Sequence, residues 1–425
     1  MMTTHNDAQT LAQKLIARAA GLAKVAPGDI VNCKVDLAMF HDSSGPRRLK
    51  PMLDELGAQI WDKSRVVLVM DHYVPERDDE SRKIVRIARD WAKEQNLPHV
   101  YDSQGICHVV VAQHGHIRPG MFCVGGDSHS PTGGAFGAYM FGIGSTEMLG
   151  VVVTGEIWLR VPHTVQMHWS GRLQRGVTAK DMMLHMVGRF GMNGGQYQAL
   201  EFAGPAVKAL SMHERMTLSN MSAELGAQVG LIAPDEVTAA WLQAAGAPEL
   251  DVTGWHTDEG ATITRHEFDA NTLAPYVAAP HSPANADVVG RHSGTPVDVA
   301  YIGACTGAKL DDLRAAAEVL RGQRVAPGVR LMVAPASQKD QTAAQAEGVL
   351  QVLIDAGAEL FPTACGACAG YGETMGDNTT VISSTARNFK GRMGSATAQV
   401  YLASPYTVAA SALRGMISDP REVLA

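Results

Sequence analysis

At 425 residues, 46% of them hydrophobic and 43 of them glycine, the chain can build two or three hydrophobic cores and has the composition of tightly turned α/β structure. A formal charge of −7 leaves no basic footprint for nucleic acid. Six cysteines are too sparse for a disulfide scaffold, and there is neither an apolar run of bilayer length nor a basic, apolar leader; the expectation is a cytoplasmic protein with no membrane partner.

In chain order, residues 10–20 have helical apolar spacing behind a threonine that can cap them. Residues 64–70 end in a short apolar run that predicts a buried strand, and 79–94 predict a charged amphipathic helix stopping before Leu97-Pro98. Asp71 and His72 therefore fall where a buried strand becomes a loop, the usual place for chemistry in parallel sheets. Residues 125–144 are too rich in glycine for an ordinary helix and suggest close backbone approach to a ligand or a neighbouring chain. They are no nucleotide loop, lacking both a Gly-x-Gly-x-x-Gly turn with an acidic partner and a Walker lysine. A boundary is expected near Val161-Pro162, and 278–296, rich in Pro, Ser, Gly and Asn, reads as a linker. The predicted organisation is three α/β units without internal repeats: 1–162, 163–288 and 289–425. Strand-like runs at 297–302 and 351–361 lead into cysteine-bearing turns.

Those turns are Gly-Ala-Cys305-Thr-Gly and, sixty positions on, Cys365-Gly-Ala-Cys368. A Cys-x-x-Cys alone suits a redox dithiol, half a zinc site or two buried small hydrophobes. Three thiolates with no fourth can also hold three corners of a four-iron four-sulfur cube and leave one iron open as a Lewis acid. His72, His108 and His129 lie near Asp71 and Asp127 in sequence motifs, and a histidine held by a carboxylate has the pKa range and fixed tautomer for acid/base work. A lone histidine is more often a satisfied structural residue, and Arg387 and Arg392 could be plain surface arginines. Asn220 and Glu224, four apart, are expected to be neighbours on one helix face.

Val-Met-Asp71-His72, Gly-Ile-Cys-His108, Gly-Gly-Asp127-Ser128-His129-Ser-Pro-Thr-Gly-Gly, Leu-Ser-Asn220-Met-Ser-Ala-Glu224, Ile-Gly-Ala-Cys305-Thr-Gly and Ser-Ser-Thr-Ala-Arg387-Asn388-Phe-Lys-Gly-Arg392 stand in an order and spacing that resemble the aconitase superfamily, most closely its isopropylmalate dehydratase large subunits. The resemblance covers nearly the whole chain. It implies three α/β domains packed around an iron-sulfur cluster held by Cys305, Cys365 and Cys368, without the swivelling fourth domain. It implies that Asp71 and His72 serve the leaving hydroxyl, that His108, Asp127 and His129 line the open iron, and that Glu224 lies near the iron-bound water. It sets Asn220 and Asn388 against the cluster, His41 and Ser128 at the substrate, and Arg387 and Arg392 on substrate carboxylates through their planar guanidinium forks.

The implied chemistry is removal and readdition of water on a small hydroxy di- or tricarboxylic acid, foremost 3-isopropylmalate, with maleate, citraconate, dimethylmalate or homoaconitate as related alternatives. The family's proton-abstracting serine belongs to the swivelling domain, so a small partner subunit is expected to bring it. Two departures stand out: Gly307 and Ala386 occupy positions where the family keeps asparagine near the cluster. An iron-sensing RNA binder is opposed by the acidic charge. A structural zinc or redox module leaves Asp71, His72, Asp127 and Arg387 without a role.

Overall fold

A computed structural model describes residues 7–248, 250 and 252–424. The expected first helix is Leu11–Ala20, capped by the Thr10 side chain on the Gln13 amide. The charged helix is Asp79–Gln95, opened by Asp78 and closed by Asn96 at φ 51°.

Three mainly parallel sheets carry the chain. The first runs His99–Asp102, Val66–Met70, Leu37–His41, Phe122–Gly125, Tyr139–Gly142, parallel throughout. Val66–Met70 is buried at every position, as a strand covered on both faces requires. Strand order reverses between Leu37–His41 and Phe122–Gly125, the point where parallel sheets open a crevice at their carboxyl ends. An antiparallel ribbon, Ile30–Lys34 with Glu156–Arg160, closes this part of the chain.

The second sheet, Val229–Ile232, Ala199–Ala203, Thr164–Ser170, Thr264–Asp269, is also parallel. The third runs Ala286–Val288, Tyr276–Ala278, Gln399–Ala403, Thr380–Ser383, Val299–Ile302, Arg330–Val333, Ala358–Leu360. Tyr276–Ala278 runs antiparallel to both its neighbours, and the remaining pairs are parallel. Its order reverses between Val299–Ile302 and Thr380–Ser383.

Three expectations are corrected. Residues 278–296 are not a free linker: Tyr276–Ala278 and Ala286–Val288 form a hairpin on the edge of the third sheet, with Val277 and Ala278 fully buried, so this sheet begins ahead of residue 288. The Pro/Ser/Asn-rich stretch supplies the hairpin's turn. Residues 351–361 belong mostly to a helix, Val349–Ala356, whose buried Val349, Leu350, Leu353 and Ala356 recur at helical spacing; only Ala358–Leu360 is strand. Residues 125–144 contain a 3-10 helix, Ser130–Phe136, and the strand Tyr139–Gly142. Their close approach is to the chain itself: a Cβ on Gly134 would sit 1.9 Å from the Gly230 carbonyl oxygen, so glycine lets the first and second sheets meet.

The first and third sheets share one apolar cluster, in which Met39, Val67 and Ile106 meet Ile302 and Val333. Backbone hydrogen bonds also join them: the Ile106 N–H donates to the Ala336 carbonyl and the Cys365 N–H to that of Asp71, both at 2.9 Å. Among the described residues, no helix is long and apolar enough to cross a membrane.

Candidate active site

The loops leaving the reversal points of the first and third sheets line one cavity of about 210 Å³, whose walls include His72, Asp127, Cys305, Cys368 and Arg387. A wider groove of about 840 Å³ beside Trp158 shows no comparable convergence of ionisable side chains.

On the first sheet's side, Asp71 is fully buried; its Oδ1 accepts from His72 Nδ1 at 2.7 Å and its Oδ2 from the Cys107 N–H at 2.7 Å. The carboxylate of buried Asp42 accepts from the backbone N–H groups of His72 (3.1 Å) and Tyr73 (2.8 Å), which fixes the turn. The His41 ring stacks on His72 with centroids 3.9 Å apart. Burial alone would lower the His72 pKa, but Asp71, Asp42 and Asp127 together push it up to about 10, so the ring is cationic at neutral pH. Asp127 Oδ1 accepts from His108 Nε2 (2.8 Å) and from the His129 N–H (2.8 Å). Burial would raise the Asp127 carboxyl, yet the bonds from His108 and His41 hold it well below the ordinary range.

Glu224, also fully buried, bonds His129 Nε2 at 3.1 Å and accepts from Arg387 Nε at 2.6 Å. Burial opposes its ionisation, and His129 and Arg387 overcome that and lower its pKa. Arg387 Nη1 donates to Ser128 Oγ at 2.8 Å, so the guanidinium is braced on two sides. Asn220, in the last turn of the helix Met212–Met221, donates to Cys305 Sγ at 3.2 Å and Thr132 Oγ1 at 2.8 Å. Glu224 lies beyond that helix, in the turn that follows it, so the two do not share a helix face as expected; their side chains part toward Cys305 and Arg387.

All three site cysteines are free thiols lining the cavity. Burial pushes Cys305 up to about 12. Cys365 and Cys368 influence each other most; burial adds to hold Cys365 high, while Arg392 and His129 help to draw Cys368 down. Metal binding would release the protons these thiols still hold. Around them Asn220 Oδ1, His108 Nδ1, Glu224 Oε2 and Arg392 Nε are buried without hydrogen-bond partners. Soft thiol donors ringed by unspent polar atoms fit an iron-sulfur group with a polar ligand.

Of the residues expected at the site, Asn388 is placed elsewhere: its Nδ2 donates to the carbonyls of Ala279 (2.8 Å) and Val400 (2.9 Å), and it does not line the cavity. His41 reaches the site indirectly, with Nε2 3.7 Å from Asp127 Oδ2. Sequence reasoning missed Asp42, Lys180 and Lys309. An acidic residue next to His41 and lysines inside otherwise amphipathic patterns carry no signal for this, because their partners come from distant segments. The two departures have a local explanation in part: a Cβ on Gly307 would lie 2.2 Å from Ser384 Oγ, which bonds the Gly303 N–H and the Gly307 carbonyl. An asparagine cannot stand at 307 while Ser384 holds this place. Ala386 lines the cavity directly.

Fold and site together define an α/β protein in which three free cysteines, acid/base pairs and arginines meet around one cavity. The sequence profile of the aconitase family (aconitate hydratase) matches residues 14–293 and 287–415, and the chain belongs to that family, whose members carry an iron-sulfur cluster. It is 41% identical to the 3-isopropylmalate dehydratase large subunit 1 of Methanopyrus kandleri, over 98% of this chain and 100% of that protein. It is 40% identical to the corresponding large subunit of Nitratidesulfovibrio vulgaris (97% and 99% covered) and 38% to a probable methanogen homoaconitase large subunit of Methanothermobacter thermautotrophicus (97% and 97%). Aconitase X of Thermococcus kodakaraensis aligns in structure with a TM-score of 0.48 at 12% identity, covering 91% of this chain and 94% of that one.

Proposed function

We propose that the chain is the large subunit of a hydro-lyase that dehydrates and rehydrates a hydroxy acid, with 3-isopropylmalate and 2-isopropylmalate as its substrate pair. Cys305, Cys365 and Cys368 would hold a four-iron four-sulfur cluster with one iron free of cysteine. When bound, that group supplies Lewis-acid polarisation of substrate oxygens. The observation that carries the proposal is a single cavity walled at once by three thiols, an arginine and a cationic histidine.

His72, kept protonated by Asp71, is poised to give its proton to a departing hydroxide, with Asp71 holding Nδ1 so that Nε2 is the free donor. Arg387, braced by Glu224 and Ser128, and Arg392 offer positive charge to the substrate's carboxylates. Asp127, the carboxylate lining the cavity, is already bonded to His108, which leaves it a poor acceptor for a carbon-bound proton. We assign that abstraction to a small, swivelling-domain partner subunit. Ala386, where the family keeps asparagine, favours as second reading a hydratase for a related acid such as homoaconitate, citraconate or dimethylmalate.

The test is anaerobic reconstitution with iron and sulfide, then assay of a panel of these acids with and without the small subunit. Turnover is expected with both chains, best on isopropylmalate, and almost none with the large chain alone. Full turnover by the large chain alone would refute the two-subunit arrangement, and preference for another acid would replace the substrate.

A further inference from the structure

We propose that Lys180 is a positioning residue for the three-cysteine centre, tying the loop that bears Cys305 to the loop that bears Arg387 and setting an unneutralised ammonium behind the thiolates. Lys180 is the second residue of the helix Ala179–Phe190, which packs outside the catalytic cavity, and only 1% of its surface is exposed. Its Nζ donates to the carbonyl oxygens of Ser384 and Thr385 (2.6 Å for the latter) and lies 3.3 Å from Thr306 Oγ1. Thr306 follows Cys305, and Ser384 and Thr385 lead to Ala386 and Arg387. One ammonium thus spans both loops of the third sheet's reversal point.

Lys309 makes the useful contrast. It is equally buried and donates to the Cys305 carbonyl (3.0 Å) and Thr217 Oγ1 (3.0 Å), but it also has a counter-ion, Asp312 Oδ2 at 2.7 Å. Lys180 shares no such contact among the described residues: its bonds go to neutral oxygens, Asp312 bonds Lys309, and buried Asp181 acts on it only through space, its own oxygens bonding the Thr178 and Tyr276 N–H groups. A buried ammonium without a partner is costly, and burial accordingly pulls its pKa down to about 7, with Asp312, Cys305 and Cys368 acting in the opposite direction. Three thiolates around an iron-sulfur core leave a net negative assembly, the counter-charge this ammonium lacks. Filling the centre and keeping Lys180 charged therefore favour each other, and a fixed cation favours the reduced, more negative form.

The inference rests on the metal centre proposed above, and the experiment separates the two. The full chain and its Lys180→Met and Lys180→Gln variants are reconstituted with iron and sulfide; melting of the loaded and iron-free forms and the midpoint potential are measured. For Lys180→Met the stabilisation conferred by loading should shrink, and the oxidised-to-reduced ratio at fixed potential should rise about tenfold, a fall of about 59 mV for one electron. Lys180→Gln, which keeps hydrogen-bond donors without charge, should hold the loops and still show the lower potential. Parallel melting losses in both forms with an unchanged potential would mean a merely structural lysine and overturn the proposal; failure of the unaltered chain to take up iron would overturn the centre itself and this inference with it.

Discussion

The reversal points of the first and third sheets have the same topology and opposite electrostatics. At the first, the carboxylates are answered inside the protein: Asp71 by His72, Asp127 by His108, Asp42 by backbone amides. At the third, Arg387 and Lys309 are paired but other groups are left open: Arg392 Nε has no partner among the described residues, Lys180 bonds only neutral oxygens, and Cys368 carries a depressed pKa. A pre-paired site handles protons already in hand, while the unsatisfied groups of the other suit the cluster proposed there. The second sheet reverses too, between Thr164–Ser170 and Thr264–Asp269, but there Trp169 stacks on Phe268 with centroids 4.5 Å apart. A crevice becomes a site only where side chains leave it open and polar.

The largest effect should come from the open side. Cys365→Ser removes one of three thiolates, so the broad visible absorption of the reconstituted chain should vanish and activity with the small subunit should fall by more than about a thousandfold. Stoichiometric zinc with no iron uptake by the unaltered chain would instead break the contrast, turning the third sheet's centre into a structural one.

Arg387→Lys sharpens it. The charge stays, but a lysine cannot reach Glu224 and Ser128 together while also facing a carboxylate. We expect kcat/KM to drop roughly a hundredfold, about 3 kcal/mol, with absorption retained. A change within about twofold would show that Arg387 serves only to neutralise Glu224.

The remaining test concerns the pre-paired side and is read as stability, not as turnover. The folded His72 pKa, about 10, lies above its ordinary 6.5. Its stabilising contribution is therefore complete below about pH 6.5 and is lost as pH rises toward about 10, at up to about 1.4 kcal/mol per pH unit. Denaturant titrations of the full chain should show that decline, and His72→Gln should flatten it. An equally steep decline in His72→Gln would assign it to other groups.

What the sequence determined by itself was whatever is local or motif-borne. Thr10 and Asp78 cap the helices their spacing announces, the run at 66–70 is a buried strand ending at Asp71, and the cysteine turns follow a family order that extends over nearly the whole chain. Side-chain period and capping chemistry act within a few residues, so they can be read without the fold. Tertiary structure decided the rest. Residues 278–296 look like a linker until the strand Gln399–Ala403, more than a hundred positions away, pairs with them. Asn388 stands in a site motif, yet backbone carbonyls of Ala279 and Val400 claim its amide. Gly307 reads as a lost asparagine until Ser384 fills its space, and Lys180 reads as an ordinary helix lysine until two loops close over it. In each case the deciding partner is remote in sequence, and burial, which makes an unanswered polar group costly, exists only once the sheets have met.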